Sequence, residues 1–356
     1  MKNISDFYER KLIMFEFFAG GRIEIGGNHT ENQGGCVFGA ATEQGIRAFA
    51  KPNGTDTVHI ESESFGSFDI EIGDTEPRAE EAETFAAFVR GIMNCFIESG
   101  NIFGGFDAKI ISEIPSGSGL SSSAAFEILI GKIISGLFFE NSVPALRLAQ
   151  FGQIAESDYF GRPCGISAQL ISAVGGSVLL DFSDPEMPQF RKVDFDFAKS
   201  GYTAAIIDCK ASHADFADDY IGIAKDMGFV AWNMGHTVLS EADEAEFIAQ
   251  FPILRQKCGE RAVLRALHYF EETRKAQEEA EALENGDFSE FLKIFKESGE
   301  SSEEKSEVFS FVQNLLSEKG AAREFFGKVL AFVPEESAAE FAEEMEKQGF
   351  GIMFVL

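Results

Sequence analysis

The stretch Pro115-Ser-Gly-Ser-Gly-Leu-Ser-Ser-Ser-Ala-Ala125 sets the reading of this 356-residue chain. It stands between a strand-like segment, 106–114, and a long apolar run that begins near Ser122. Glycines and serines let a backbone approach a ligand closely, because little side chain stands in the way. Where the next helix starts, unpaired N–H groups and the helix dipole both favour an anion. Gly117, Ser118, Gly119, Leu120, Ser121, Ser122 and Ser123 are therefore candidate contacts for phosphate groups. No Gly-Lys-Ser/Thr follows, so this is not a Walker A loop. A flexible turn could have the same composition, and the segments on either side have to decide.

Outward from the loop, the chain reads as alternating strands and helices. Strand-like runs cover 58–63, 68–72 and 106–114, and an amphipathic helix covers 80–99. Helices are expected over 122–137 and 143–160. Two further strands, 176–182 and 203–208, bracket a proline-containing loop at 183–188. The domain boundary is expected there, giving residues 1–190 and 191–356. The second half is helix-rich. Residues 261–284 place Val263, Leu264, Leu267 and Phe270 at helical spacing, opposite a charged face, and Gly286 is a natural stop. A last strand, 329–333, is followed by a helix over 335–347 and an apolar tail. Strands and helices in both halves predict an α+β protein of two domains with a cleft between them.

Composition narrows the function. Net charge is −29, so the chain repels nucleic-acid backbones and a nucleic-acid partner is not expected. No apolar run is long enough to cross a membrane, and residues 1–10 lack the apolar core of a signal peptide. Five scattered cysteines without a C-x-x-C pair suit a reducing cytoplasm and argue against structural zinc. The 38 phenylalanines point to well-filled cores. Oligomeric state is not encoded in any of these features, and a monomer is compatible with all of them.

Three segments in order carry a family resemblance. Ser118-Gly-Leu-Ser-Ser-Ser-Ala124 resembles the central motif of the GHMP kinases. Gly21-Arg-Ile-Glu-Ile-Gly-Gly-Asn-His-Thr-Glu-Asn-Gln-Gly-Gly35 resembles the galactokinase signature G-R-x-N-x-I-G-E-H-T-D-x-x-G-G. Ala155-Glu156 followed by Gly161-Arg-Pro-Cys-Gly-Ile-Ser-Ala-Gln169 resembles A-E-x-x-x-x-G-x-P-C-G-I-M-D-Q. The resemblance implies the two-domain GHMP kinase fold with an active-site cleft. It also implies ATP-dependent phosphorylation of galactose, or a related sugar, at the anomeric hydroxyl.

The same resemblance assigns roles. Asn28, His29 and Glu31 match the positions that hold sugar hydroxyls, with Gly165 and Tyr220 as further sugar contacts. Asn28 replaces the usual Glu, and Glu31 replaces Asp. Arg22 matches the arginine that stabilises charge on the transferring phosphoryl group. Ser123 and Glu156 match the pair that holds Mg²⁺ beside ATP.

Two departures stand against full activity. The family's general base is the Asp of G-I-M-D-Q, and Ala168 stands in its place. Alanine can neither orient nor deprotonate a sugar hydroxyl. A glycine-rich run expected before the final strand is also missing. The region reads Gly320-Ala-Ala-Arg-Glu-Phe-Phe-Gly-Lys-Val329, with Phe325 and Phe326 where a glycine loop would pass. The expected function is thus an impaired galactokinase. The rival is a catalytically inactive sugar- or nucleotide-binding protein of the same fold.

Overall fold

The computed structural model describes residues 14–115, 117–185, 187–209, 217–301, 306–325 and 327–356. Two compact units interleave in sequence. One comprises the chain through Arg22, Ala41–Ser116 and Leu120–Gly175; the other comprises Ile23–Ala40, Gly117–Gly119 and Gly176–Leu356. A single cut near residue 190 does not describe this division, because the long strands β1 (Phe15–Gly26) and β2 (Cys36–Pro52) each contribute to both units.

In the first unit, β2 runs antiparallel to β5 (Phe106–Ser112), with Ile46 opposite Ser112 and Pro52 opposite Phe106. β3 (Thr57–Ser62) lies parallel to β5 and antiparallel to β4 (Phe68–Glu71). Buried and exposed residues alternate along β3 and β5, as in a sheet with one covered face. Among the described residues four α-helices accompany this sheet: α1 (Phe85–Glu98), α2 (Ser122–Phe138), α3 (Ala145–Ile154) and α4 (Ser167–Val174). α2 is buried on nearly every face and is the central helix of the unit. Phenylalanine fills the space around it. Phe65 and Phe85 meet the Phe126 ring at 5.0 and 4.9 Å between centroids, and Phe88 stacks on Phe160 at 4.4 Å.

In the second unit, β6 (Ser177–Asp181) pairs with Cys36–Ala40 of β2 and with β7 (Gln189–Val193). A separate antiparallel sheet has β8 (Tyr202–Asp208) and β10 (Lys328–Pro334) at its centre, flanked by β9 (Ala321–Phe325) and β11 (Gly351–Phe354). The helices are α5 (Ala217–Met234), α6 (Glu244–Cys258), α7 (Glu260–Glu284), α8 (Phe288–Ser301), α9 (Glu307–Leu316) and α10 (Ala338–Lys347). Phe309, Val312 and Leu316 of α9, with Phe341 and Met345 of α10, close one core over β8 and β10. Met227, Val230, Phe247, Val263 and Tyr269 form another among α5, α6 and α7. Phe291, Phe295 and Phe332 fill the ground between α8 and β10, with the Phe291 and Phe295 ring centroids 5.1 and 5.0 Å from that of Phe332.

Most expected elements are present, with three differences. The helix expected over 143–160 changes its hydrogen-bond spacing after Ile154, and Ala155–Phe160 is wound as a π-helix. The apolar tail after α10 is a strand, because residues 351–354 complete the open edge of β8. The polar side of α7 is not a solvated face. Glu272, Lys275 and Glu279 are buried, whereas Leu264 is exposed.

Candidate active site

The serine-rich loop enters α2 through backbone that only small residues adopt readily. Gly117 and Gly119 have φ of +74° and +84°, and Ser121 is itself left-handed at +55°. A non-glycine residue held there costs free energy, and such strain collects at ligand-binding turns. The Ser121 side chain does not cap the helix, so the first-turn N–H groups of α2 lack that acceptor. Leu120, fully buried, accepts a hydrogen bond through its carbonyl from the Arg22 N–H at 2.9 Å. The close approach requires glycine at 21. A Cβ there would meet the Leu120 carbonyl oxygen and Thr42 Oγ1, each at 2.9 Å. Two separate sequence motifs, Arg22 and the serine loop, are thereby brought side by side, and Arg22 is buried.

The expected metal pair also comes together, with a third partner. Ser123 Oγ lies 3.4 Å from Glu156 Oε1. The Arg162 guanidinium bridges both. Its Nε donates to Glu156 Oε1 at 2.9 Å, and its Nη2 donates to the same oxygen and to Ser123 Oγ at 3.2 Å. The other carboxylate oxygen, Oε2, accepts from Gln169 Nε2 at 2.8 Å, and that amide also donates to Glu127 Oε2 at 3.0 Å. Burial pushes Glu127 well above the usual carboxylate range, and the Glu156 charge adds to the shift. The π-helix explains the placement. Its wider turn ends with the N–H groups of Gly161 and Arg162 both donating to the Glu156 carbonyl, at 3.1 and 3.0 Å, so the chain folds back and returns Arg162 onto Glu156. A divalent ion needs open oxygens. Glu156 Oε1 already accepts from the Arg162 guanidinium, whose positive charge would stand against a second cation there, so the pair does not fit a divalent ion while Arg162 stands there. Among the described residues no group of three or more His, Cys, Asp or Glu could hold one elsewhere.

Ala168 is the second residue of α4, half-buried, beside buried Ser167. Gly165 precedes it in the turn into the helix. Ala168 and two partners of Glu156, Arg162 and Gln169, thus all fall within the same short segment, 161–169.

The expected sugar loop belongs to the second unit and is built around Thr30. Thr30 is fully buried, and its Oγ1 lies 2.8 Å from both the Gly27 and Cys36 carbonyl oxygens. Its own carbonyl accepts from the N–H groups of Gln33 and Gly35, each at 3.0 Å. Gly27, at φ +81°, has no room for a side chain, since a Cβ would fall 1.9 Å from the Cys36 carbonyl oxygen. This tight loop holds His29 in the left-handed region at φ +64° and presents Asn28 and Glu31 on either side of Thr30. His268 Nε2 contacts the Asn28 carbonyl at 3.2 Å. Burial, then the neighbouring His268 and Arg323, push His29 down to about 3, so the imidazole is neutral near physiological pH. A neutral imidazole offers one donor and one acceptor.

Behind that loop lies a buried polar network. Arg323 donates to the Ile25 carbonyl and, at 3.1 Å, to Glu272 Oε2. Ser298 Oγ donates to Glu272 at 2.8 and 2.9 Å. Burial alone would raise Glu272, but Arg323, His268 and Lys275 outweigh it and hold the carboxyl below its ordinary range. Seven residues along the same helix, Glu279 is fully buried, neither carboxyl oxygen has a hydrogen-bond partner among the described residues, and burial pushes its pKa well up.

Two expectations meet the edge of the described residues. Tyr220 falls in the first turn of α5, with its side chain outside them, and Phe326 lies outside them altogether. Where the glycine-rich run was expected, β9 and β10 form a hairpin, with Phe325 opposite Lys328 and Gly327 at φ +70° in the connection. Arg162, Thr30 and Arg323 were not singled out from the sequence. Arg162 had a signal available, a charge at a variable position between two fixed motif residues. Thr30 had one as well, the fixed threonine of the galactokinase signature, and Arg323 had none.

The galactokinase galactose-binding signature matches residues 5–52, and the GHMP kinases N terminal domain matches residues 87–176. The galactokinase of Glaesserella parasuis serovar 5 (strain SH0165) is 30% identical over 359 residues, covering 93% of this chain and 89% of that protein. The galactokinase of Lactococcus lactis subsp. cremoris (strain MG1363) is 37% identical over 172 residues, 46% of this chain and 42% of that protein. In fold, the chain matches the crystal structure of Lactococcus lactis galactokinase complexed with galactose at a TM-score of 0.81 and 24% identity, over 99% of this chain and 96% of that one. Both signatures, a two-domain GHMP kinase fold and a relative matched along nearly the whole length place this chain in the galactokinase family of GHMP kinases.

Proposed function

We propose that this sugar-kinase family member binds ATP and galactose or a related hexose, and phosphorylates the anomeric hydroxyl slowly. The observation that carries the reading is the Gly27–Gly35 loop, whose galactose-binding signature is kept while its shape is fixed internally by Thr30. In this reading Asn28, neutral His29 and Glu31 supply donors and acceptors to sugar hydroxyls, and Gly165 and Tyr220 are further sugar contacts that the family resemblance implies. The loop 117–123 cradles the nucleotide phosphates at the start of α2. Arg22, anchored through its backbone to Leu120, offsets charge on the transferring phosphoryl group. Phosphoryl transfer depends mostly on positioning and electrostatics, so loss of a base slows it without abolishing it.

A second reading, a sugar- or nucleotide-binding protein without turnover, is favoured by Ala168 at the place of the base. Calorimetric titration with ATP and with a panel of hexoses, followed by measurement of sugar phosphate, separates the two. Binding of both ligands with slow product formation supports the kinase. Binding without product at enzyme concentrations near that of substrate supports the second reading. Absence of any nucleotide or sugar binding refutes both.

A further inference from the structure

We infer that Arg162 is a built-in cation at the Ser123–Glu156 pair, so that this chain takes nucleotide phosphates without a divalent ion. The inference rests on the nucleotide-binding role proposed above for the loop 117–123.

The geometry leads there in steps. Glu156 is a buried carboxylate at the start of the π-helix, and a buried carboxylate needs a compensating cation or donors. Arg162 provides both through Nε and Nη2 on Oε1, while Gln169 satisfies Oε2. The same Nη2 reaches Ser123 in the first turn of α2. One guanidinium therefore touches both residues that a metal would have to bridge. It does not reach across from a distant element. Arg162 sits six positions after Glu156, and its backbone N–H is tied to the Glu156 carbonyl at 3.0 Å. Pro163 restricts the Arg162 backbone from the other side, and the Phe160 ring lies 5.1 Å from the guanidinium carbon. The side chain remains 56% exposed, so part of its fork of donors faces solvent at the mouth of the helix start. A guanidinium in that position offers directed N–H donors to phosphate oxygens, which a metal would otherwise coordinate.

The chemistry predicts an unusual ligand preference. A metal-dependent site binds the metal–nucleotide complex and loses affinity in chelator. Here one fixed positive charge is always present, so free nucleotide should bind as well as its magnesium complex.

The test is calorimetry of the whole chain with a non-hydrolysable ATP analogue, in excess EDTA and in excess Mg²⁺. The wild type is expected to bind with affinities within about twofold of each other, because its cation is covalently resident. Arg162→Met should weaken binding in EDTA by about tenfold or more, the scale of a lost charge-assisted contact, and regain affinity when Mg²⁺ is added. Arg162→Lys should keep much of the chelator-insensitive binding. Manganese alone, followed by electron paramagnetic resonance, should bind Arg162→Met and leave the wild type largely unbound. Binding by the wild type only when Mg²⁺ is present, or tight wild-type Mn²⁺ binding, would overturn the inference and leave the nucleotide role standing. No nucleotide binding in either condition would overturn both. The two wild-type measurements decide the matter even if Arg162→Met fails to fold.

Discussion

Arg162 and Glu156 form an ion pair across six residues of one continuous segment, with the carboxylate buried and the guanidinium half in solvent. The asymmetry sets the energetics. Removing the exposed partner leaves a buried charge with the Gln169 amide and, at 3.4 Å, the Ser123 hydroxyl as remaining partners. Arg162→Met should lower unfolding free energy by about 1–2 kcal/mol, less than a fully buried pair would lose. Adding Glu156→Gln should recover part of that loss, since it removes the stranded charge. Urea unfolding of the two single variants and the double variant measures the coupling. Strictly additive losses would show that the two residues do not act as a pair.

Ala168 leads to a prediction about rate. Galactose phosphorylation should run at least about a hundredfold slower than in a family member with an intact base, the usual scale of general-base loss. A rate near that of such an enzyme would mean another carboxylate serves as base.

Restoring the carboxylate alone should not restore the kinase. Position 168 lies in the first turn of α4, where the helix dipole favours an anion, so Ala168→Asp should be tolerated and ionised. The β9–β10 hairpin would still stand in place of the glycine-rich run, and Arg162 would still hold Glu156. Assays of Ala168→Asp, a restored glycine loop, and both together should show recovery in the combination far above either change alone. Full activity from Ala168→Asp by itself would show that the hairpin costs nothing.

His29 should make the fold sensitive to acid. Its folded pKa of about 3 lies below the ordinary 6.5, so its neutral form is the one the fold accepts. That contribution to stability is present above pH 6.5 and is lost as pH falls towards 3. His29→Asn, which tolerates the left-handed backbone at φ +64°, should lose less stability than the wild type across that window. Melting temperatures of both proteins from pH 7 to pH 4 give the comparison. Parallel curves would show that His29 titrates normally.

Glu279 should have the opposite dependence. Its folded pKa is raised, so its contribution is greatest below the ordinary carboxylate range and is lost as pH rises through the folded value. Both oxygens lack hydrogen-bond partners among the described residues, and Arg323 is already paired with Glu272. Glu279→Leu should therefore stabilise the protein by about 1–3 kcal/mol at pH 8, and by less at pH 5. Destabilisation at pH 8 would indicate that Glu279 compensates a charge in the Arg323 network.

The sequence by itself determined the family, the two-domain α+β fold class and the type of most of the elements it predicted. Alternating burial in 58–62, apolar spacing in 122–138 and the glycines at 21 and 27 are local properties, and short-range sterics translate them directly into strands, a helix and close backbone approaches. Residues 351–354 gave no such local signal. They became a strand only because β8 had an edge to complete. The polar side of α7 misled for the same reason. Helical spacing marks which side of a helix is apolar, but cannot show that Glu272 will find Arg323 and Ser298 within hydrogen-bonding distance and so be buried with them. Arg162 is the sharpest case. Its charge at a variable motif position could mark it but not say what it meets, because its role depends on Ala155–Phe160 winding as a π-helix that turns the chain back on Glu156. Charge pairing of that kind is decided by a few ångströms of tertiary placement, which residue types and spacing do not contain.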